Sequence, residues 1–341
     1  MATGGINLSR EFFELLKAIG ESKSKQEEDR IIAREVQTLK GKLEKQDGSK
    51  KRAKEFLVRL LYVEMLGHDA SFGYIKAVEL AASASLYHKR TGYLVCGACL
   101  SPEHEFRFML VNQMQRDLQS ANVLEISGGL FAASSLITSD MVPAVSGEVQ
   151  KLLAHDSETV RKKAIVTLLR LHQLAPDVVT KEELMEKIRK TLCDRDPAVM
   201  GSTLNAIEAL AIQDVTPFKD LIPSLVSILK QIGDHRLPTD FDYHRVPAPW
   251  MQIRLVRILS LLGQADAQAS SGMYEILHEC MKKADVGINA GVSTIQYNTI
   301  QNDQCAFDVL SGKALFASCL RLTHALPLFI LCLIYDNFFC M

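Results

Sequence analysis

The feature that most constrains this chain is a repeat. LLAHDSETVRKKAIVTLLRL at 152–171 lines up with TLCDRDPAVMGSTLNAIEAL at 191–210, so that Leu153, Val160, Leu168 and Leu171 match Leu192, Val199, Ile207 and Leu210, each 39 residues on. DLQSANVLEISGGLFAASSL at 117–136 fits a slightly shorter unit, and Pro143 and Pro223, each expected to open a helix, lie 80 apart, about two periods. A period near 40, with a short polar turn before an apolar helix, is the HEAT or armadillo pattern. Neighbouring helix pairs then bury one continuous core and leave a large surface. The predicted fold is all-α: a right-handed α-solenoid of HEAT/armadillo-like repeats, shaped as a curved rod. Aromatic residues make up only 7% of the chain, which suits helix-on-helix packing better than a β-sandwich.

The N-terminal part adds local detail. Phe12, Phe13, Leu15, Leu16 and Ile19 form a short amphipathic stripe with Ser9 as N-cap. After a break following Gly20, Ile31, Ile32, Val36, Leu39 and Leu43 recur at helical spacing. Lys50, Lys51, Arg52 and Lys54 then lead into a helix over 56–66, poorly placed for its dipole but well placed to meet an anion. A solvated basic surface is the plainer reading of that run.

Glu64 to Gly92 reads as a helix end, a tight corner at Gly67-His68-Asp69, a second helix over 70–83 capped by Asp69 or Ser71, and the start of a third at Lys89-Arg90. The second helix is apolar on two sides: Ile75, Val78 and Ala82 on one stripe, Tyr74, Ala77 and Ala81 on the next. Lys76, Glu79 and Ser83 form a narrow polar strip. A surface helix needs one apolar stripe. This one is either held between two neighbours or lends one side to a partner.

DHRLPTDFDYHRVPAP at 234–249 interrupts the rhythm and reads as an ordered surface loop, pinned to the repeats by Trp250. A last helix is expected over 273–283. Beyond Gly291 the character changes: residues 292–341 hold only five charged residues and four of the eight cysteines. Residues 315–335 are apolar enough to suggest a membrane span, but Arg321, His324 and Pro327 inside the segment count against one. This tail is expected to be foreign to the repeat fold, the product of a truncated or misread transcript. The repeat region is expected over 9–291.

The sequence carries little sign of reaction chemistry. The 39 basic and 40 acidic residues nearly cancel, which gives the whole chain no electrostatic preference for nucleic acid. Cys96 and Cys99 are a close pair, but no second pair stands at zinc spacing, so both are read as small core residues. No phosphate-binding glycine loop, nucleophile elbow or paired-carboxylate motif is present. No signal peptide is visible, and eight cysteines without one suggest reduced thiols. The expectation is no cofactor, no metal and no catalysis.

Seven words in order carry a resemblance: EEDRII at 27–32, VRLLYVEMLGHDASFGYIKAV at 58–78, KRTGYL at 89–94, DLQSAN at 117–122, VRKKAI at 160–165, LCDRDPAVM at 192–200 and YHRVPAPWMQIRLVRILSLLG at 243–263. Over about residues 9–289 the chain resembles the large-chain adaptins, trunk subunits of clathrin-type vesicle adaptors, and their epsilon branch more than the alpha, gamma or delta branches. The resemblance implies a scaffold in a heterotetramer with a second large, a medium and a small chain. It implies peripheral recruitment to trans-Golgi membranes by an Arf-type small GTPase, and sorting of cargo. An apolar pair that faces the GTPase in the gamma branch matches Ile75 and Val78. A basic cluster that binds phosphoinositide in the alpha branch matches Lys51, Arg52 and Lys54, here interrupted by Ala53 and Glu55. Two other readings compete: a generic HEAT transport scaffold such as a nuclear-import receptor, and an enzyme built on loop 234–249.

Overall fold

Helical spacing of apolar side chains carries the whole described structure. The computed structural model describes residues 9–44, 50–243, 246–264 and 270–284; of residues 50, 51 and 281–284 it describes the backbone alone. The helices are α1 (Arg10–Gly20), α2 (Lys25–Glu44), α3 (Lys50–Met65), α4 (Tyr74–Ala81), α5 (Leu86–Cys99), α6 (Phe106–Leu118) and α7 (Val123–Leu136). They continue as α8 (Val142–Leu152), α9 (Glu158–Leu174), α10 (Lys181–Leu192), α11 (Pro197–Ala211), α12 (Ile222–Gly233), α13 (Pro249–Gly263) and α14 (Tyr274–Ala284). The chain forms two compact units, one up to Lys187 and one from Ile188 on.

The aligned repeat positions fall where the core needs them. Val160, Leu168 and Leu171 on α9 and Val199, Ile207 and Leu210 on α11 are all buried. Pro143 and Pro223 each stand second in their helices, α8 and α12, where a missing N–H costs nothing. A 3-10 turn precedes both, Ser139–Met141 and Thr216–Leu221. In the first unit α4 packs on α5, α6 on α7 and α8 on α9, while α3, α5, α7 and α9 pack in succession as the second layer. In the second unit α13 packs on α11 and α12.

Buried polar clamps set the register of these layers. On α3, Arg59 donates both arms of its guanidinium to Glu35 on α2, at 2.7 Å each, and a third bond of 3.1 Å to Glu11 on α1. On α5, Lys89 Nζ reaches Asp117 on α6 at 2.6 Å and Glu125 on α7 at 3.1 Å. The Tyr93 hydroxyl donates to the second oxygen of Asp117 at 2.7 Å. Charges this deep are tolerable only when matched and hydrogen-bonded. Ser9 caps α1 as expected, accepting from the Phe12 N–H at 3.2 Å, and its hydroxyl also donates to Glu55.

Loop 234–249 is ordered where described. It holds a 3-10 turn (Thr239–Phe241) and a two-strand antiparallel pair, β1 (Asp242–Tyr243) and β2 (Val246–Pro247). Its expected anchor does not hold: Trp250 is 50% exposed. The loop is tied down by the Gln252 side chain, which donates to the Pro247 carbonyl at 2.6 Å, and by the Ala248 N–H, which donates to Phe241 O at 2.9 Å. Ala248, the residue before α13, sits in left-handed backbone at φ 37°. The tail at 292–341 lies outside the described residues. Among the described residues no helix is long and apolar enough to cross a membrane.

Gly92 is where α5 meets α4 most closely. A Cβ there would lie 2.6 Å from Ala81 Cα and 2.7 Å from the Ala77 carbonyl oxygen, both backbone atoms that cannot yield cheaply. Gly92→Ala is therefore expected to cost about 1–3 kcal/mol through overpacking. Chemical denaturation should show a lower midpoint with α4 signals lost first; an unchanged midpoint would mean the α4–α5 approach is not rigid.

Candidate functional site

The corner that presents α4 is built by local hydrogen bonding. Gly67 takes φ +85°, a conformation that favours glycine and that ends α3. Asp69 Oδ1 accepts from the Ser71 N–H at 3.0 Å, and its carboxyl is held below its ordinary range by the Ser71 side chain and backbone and then by Lys40. Glu64 Oε2 accepts from the Ala70 N–H at 3.2 Å and also bonds the Tyr74 hydroxyl. Burial and then Glu64 keep that phenol protonated well above its usual range. The Tyr74 ring meets His104 edge-on, with centroids 5.7 Å apart.

The helix after this corner is shorter than the spacing predicts. Residues Ser71–Gly73 form a 3-10 turn, and α4 proper begins at Tyr74 with Gly73 as N-cap and no side-chain cap. The Asp69 bond therefore meets the first N–H of the 3-10 turn and does not cap α4. Tyr74, Ala77, Val78, Leu80 and Ala81 are buried against neighbours. The outer row reads Phe72, Ile75, Lys76, Glu79: the first three half-buried, the last exposed. Lys76 and Glu79 pair at 2.9 Å, so the polar strip is an ion pair.

This splits the expected GTPase-facing pair. Ile75 stands on the outer row, but Val78 is only 7% exposed and belongs to the packing between α4 and its neighbours. The two positions lie on either side of the edge of the neighbours' cover.

The basic run is also divided. Lys50 and Lys51 open α3, and their side chains lie outside the described residues. Arg52 is exposed. Lys54 is half-buried and turned to α5, its ammonium 5.6 Å from the centre of the exposed Tyr87 ring. Burial and then Arg90 lower its pKa. Burial lowers Arg90 as well. On α9, burial, Lys162 and Arg90 push Lys163 down to about 8. Sequence spacing alone missed Arg90 and Lys163 as electrostatic neighbours, since 36 and 73 residues separate them from Lys54 and from each other.

Neither cysteine is poised for reaction. Burial, as the largest cause, pushes the Cys96 and Cys99 thiols up to about 12. Among the described residues no group of His, Cys, Asp and Glu could hold a metal ion. A groove of about 430 Å³ runs between the C-terminal end of α2 and the start of α4, lined by Lys40, Leu43, Glu44, Phe72 and Lys76.

A helical-repeat chain with a corner-mounted short helix and basic side chains beside it is, by class, a surface for macromolecular contact. The chain belongs to the family described as the adaptin N terminal region, whose model matches residues 28–304, past the Gly291 where the sequence changes character. It is 46% identical over 302 residues to the AP-4 complex subunit epsilon of Arabidopsis thaliana, covering 89% of this chain and 32% of that one. It is 40% identical over 288 residues to the AP-4 complex subunit epsilon-1 of Homo sapiens, covering 84% and 25%. The AP-1 complex subunit gamma of Dictyostelium discoideum is 29% identical over 297 residues, covering 86% and 33%. The chain thus spans a quarter to a third of the length of these relatives. Its fold is similar to a chain of a homology model of the full-length AP-3 complex in an intermediate open conformation, with a TM-score of 0.54 and 20% identity, covering 74% of this chain and 44% of that one.

Two outcomes follow from the site geometry. Val78→Asp should cost about 3 kcal/mol or more by burying a carboxylate without a partner, whereas Ile75→Asp should cost about 1 kcal/mol or less. Thermal melts of the two single variants decide it, and equal losses would put both side chains in the core.

Lys163 makes a pH prediction. Its folded pKa, about 8, lies below the ordinary 10.5, so between these values the unfolded chain binds more protons than the folded one. Stability from this group therefore rises with pH across that window and is lowest below it. Lys163→Met should remove that rise and raise the melting temperature at neutral pH. A variant that keeps the wild-type pH slope would assign the slope to another group.

Proposed function

We propose that this chain is the N-terminal trunk portion of an adaptor-complex large subunit, a non-enzymatic scaffold for vesicle-mediated protein transport and cargo sorting. The observation that carries the proposal is the family match over 28–304 on a helical-repeat fold. The named relatives reported above are chains of adaptor complexes, which favours this reading over a nuclear-import receptor.

In this role the chain works on the cytoplasmic face of trans-Golgi and vesicle membranes, bound peripherally. Its partners are a second large, a medium and a small adaptor chain, together with an Arf-type small GTPase. Ile75 on the outer row of α4 is the side chain offered to the GTPase; Val78 supports it from below. The run at the start of α3, Lys50, Lys51 and the exposed Arg52, is offered to anionic lipid, and Lys54, turned toward Tyr87 on α5, adds its charge from beside it. Each cation near such a surface contributes about 1 kcal/mol, so the run assists docking without securing it alone.

Two measurements test the proposal. Co-expression with the second large, medium and small chains should yield a co-purifying complex, and failure to assemble with any of them would return the import-receptor reading. GTP-loaded Arf should bind the wild type and bind Ile75→Asp about tenfold more weakly, the scale of about 1.4 kcal/mol at an interface. Unchanged binding by this folded variant would remove α4 as the contact.

A further inference from the structure

A backbone N–H can only donate, so the atom it meets must hold a lone pair. The Phe106 N–H, the first in α6, meets Nδ1 of His104 at 3.2 Å. That bond exists only while the imidazole is neutral and carries its proton on Nε2. Glu105, the N-cap of α6, gives the helix no side-chain bond, so His104 supplies the acceptor at this end. The same ring supports α4. It stands edge-on to the Tyr74 ring, with centroids 5.7 Å apart, and lies 4.7 Å from the centre of the Phe106 ring. Tyr74 is the first residue of α4 and is buried. One half-buried imidazole therefore touches the starts of two helices.

The titratable groups nearby are committed or exposed. On its own loop, Glu103 and Glu105 are exposed, and Glu103 acts on Arg107. On α6, the buried Arg107 donates to the carbonyls of Leu100 and Leu136. On α3, Glu64 is taken by the Ala70 N–H and the Tyr74 hydroxyl. On α4, burial and then Glu64 keep the Tyr74 phenol neutral. At the end of α5, burial and then Glu64 push the Cys99 thiol up to about 12, so it is neutral too. A proton on Nδ1 turns an acceptor into a second donor aimed at the Phe106 N–H, and adds a cation three residues before Arg107. The ring must then turn away from Phe106, and turning takes it off Tyr74. His68, at the Gly67 corner, responds in the opposite sense: its Nε2 lies 3.3 Å from Asp29 Oδ1, so a proton strengthens that tie.

We propose that His104 is a proton-sensitive strut under α4: neutral, it joins the start of α6 to Tyr74; protonated, it releases the Phe106 N–H and loosens α4. Imidazoles change charge between about pH 5 and 8, so the strut works in mild acid, where the rest of the helical core keeps its charges. This control acts on the mounting of α4 and does not depend on which partner its outer row meets.

The test uses the full chain. Long-range proton–nitrogen NMR on isotope-labelled histidine reads the tautomer of His104, its signal assigned by its loss in His104→Asn. Hydrogen–deuterium exchange, corrected for intrinsic rates, reads the protection of α4 at about pH 7.5 and about pH 5.5. The neutral form should carry its proton on Nε2, and α4 protection should fall about fivefold in acid, the scale of one lost hydrogen bond. His104→Asn keeps an acceptor near the Nδ1 position and cannot titrate, so its protection should stay level across the two conditions. His104→Ala should be poorly protected at both. The proposal is overturned if neutral His104 carries its proton on Nδ1, or if wild-type protection is the same at both values. It is also overturned if His104→Asn loses as much in acid as the wild type, which would assign the response to His68 or another group, or if His104→Asn is as poorly protected as His104→Ala throughout.

Discussion

A buried lysine holds the first unit in register. Lys89 on α5 lies among apolar side chains, where an unmatched ammonium would be intolerable, so two other helices must bring carboxylates to it. Asp117 comes from the last turn of α6 and Glu125 from the first turn of α7. Burial works against the charge, but the bonds to Asp117 and Glu125 together outweigh it and hold the ammonium above its usual range. Asp117 is in turn filled by Tyr93 and Gln113, and Glu125 by Ser120. Three helices and one turn thus share a single satisfied network. Sliding any of them by a residue would leave a buried charge exposed to nothing but hydrocarbon, a far larger penalty than a misfitted methyl group.

That network explains why the fold was legible in the sequence. KRTGYL supplies Lys89, Gly92 and Tyr93, while DLQSAN supplies Asp117, Ser120 and the Asn122 cap of α7. EEDRII supplies Asp29, which faces His68 of the LGHD corner at 3.3 Å, and VRLLYVEMLGHD supplies Arg59 for Glu35. LCDRDPAVM contains Asp196, whose side chain caps α11 through the Ala198 N–H. The words that carry the family resemblance are largely the residues that fasten one helix to the next. The repeat period was readable for a simpler reason: a solenoid places the same demand on every unit, so the same positions stay apolar.

The site was legible only in part, because it depends on contacts that periodicity does not encode. Spacing places Ile75 and Val78 about 60° apart on α4. It does not say where the cover provided by α5 and α6 ends, and that edge falls between them. Lys54 reads as one of four cations facing outward, yet α5 brings Tyr87 and Arg90 to meet it from more than 30 residues away. Trp250 reads as an anchor because a lone tryptophan near three prolines usually is one. The side chain that ties the loop down is instead Gln252, through the Pro247 carbonyl. In each case the deciding partner is distant in the chain, whereas the feature read from sequence is local.

The same architecture bears on how α4 works. A helix of eight residues is too short to persist alone in water. Here Glu64 fixes its start through Ala70 and Tyr74, and Gly92 lets α5 close on its other side. The entropy of ordering α4 is thus spent during folding, and a partner meeting its outer row need not supply it again. That row joins two apolar side chains, Phe72 and Ile75, to a charged pair, Lys76 and Glu79. Permanent interfaces are more uniformly apolar, like a core cut in half. A mixed row on a pre-formed helix suits contacts that form and release, with Lys40 and Lys76 supplying steering that salt can weaken.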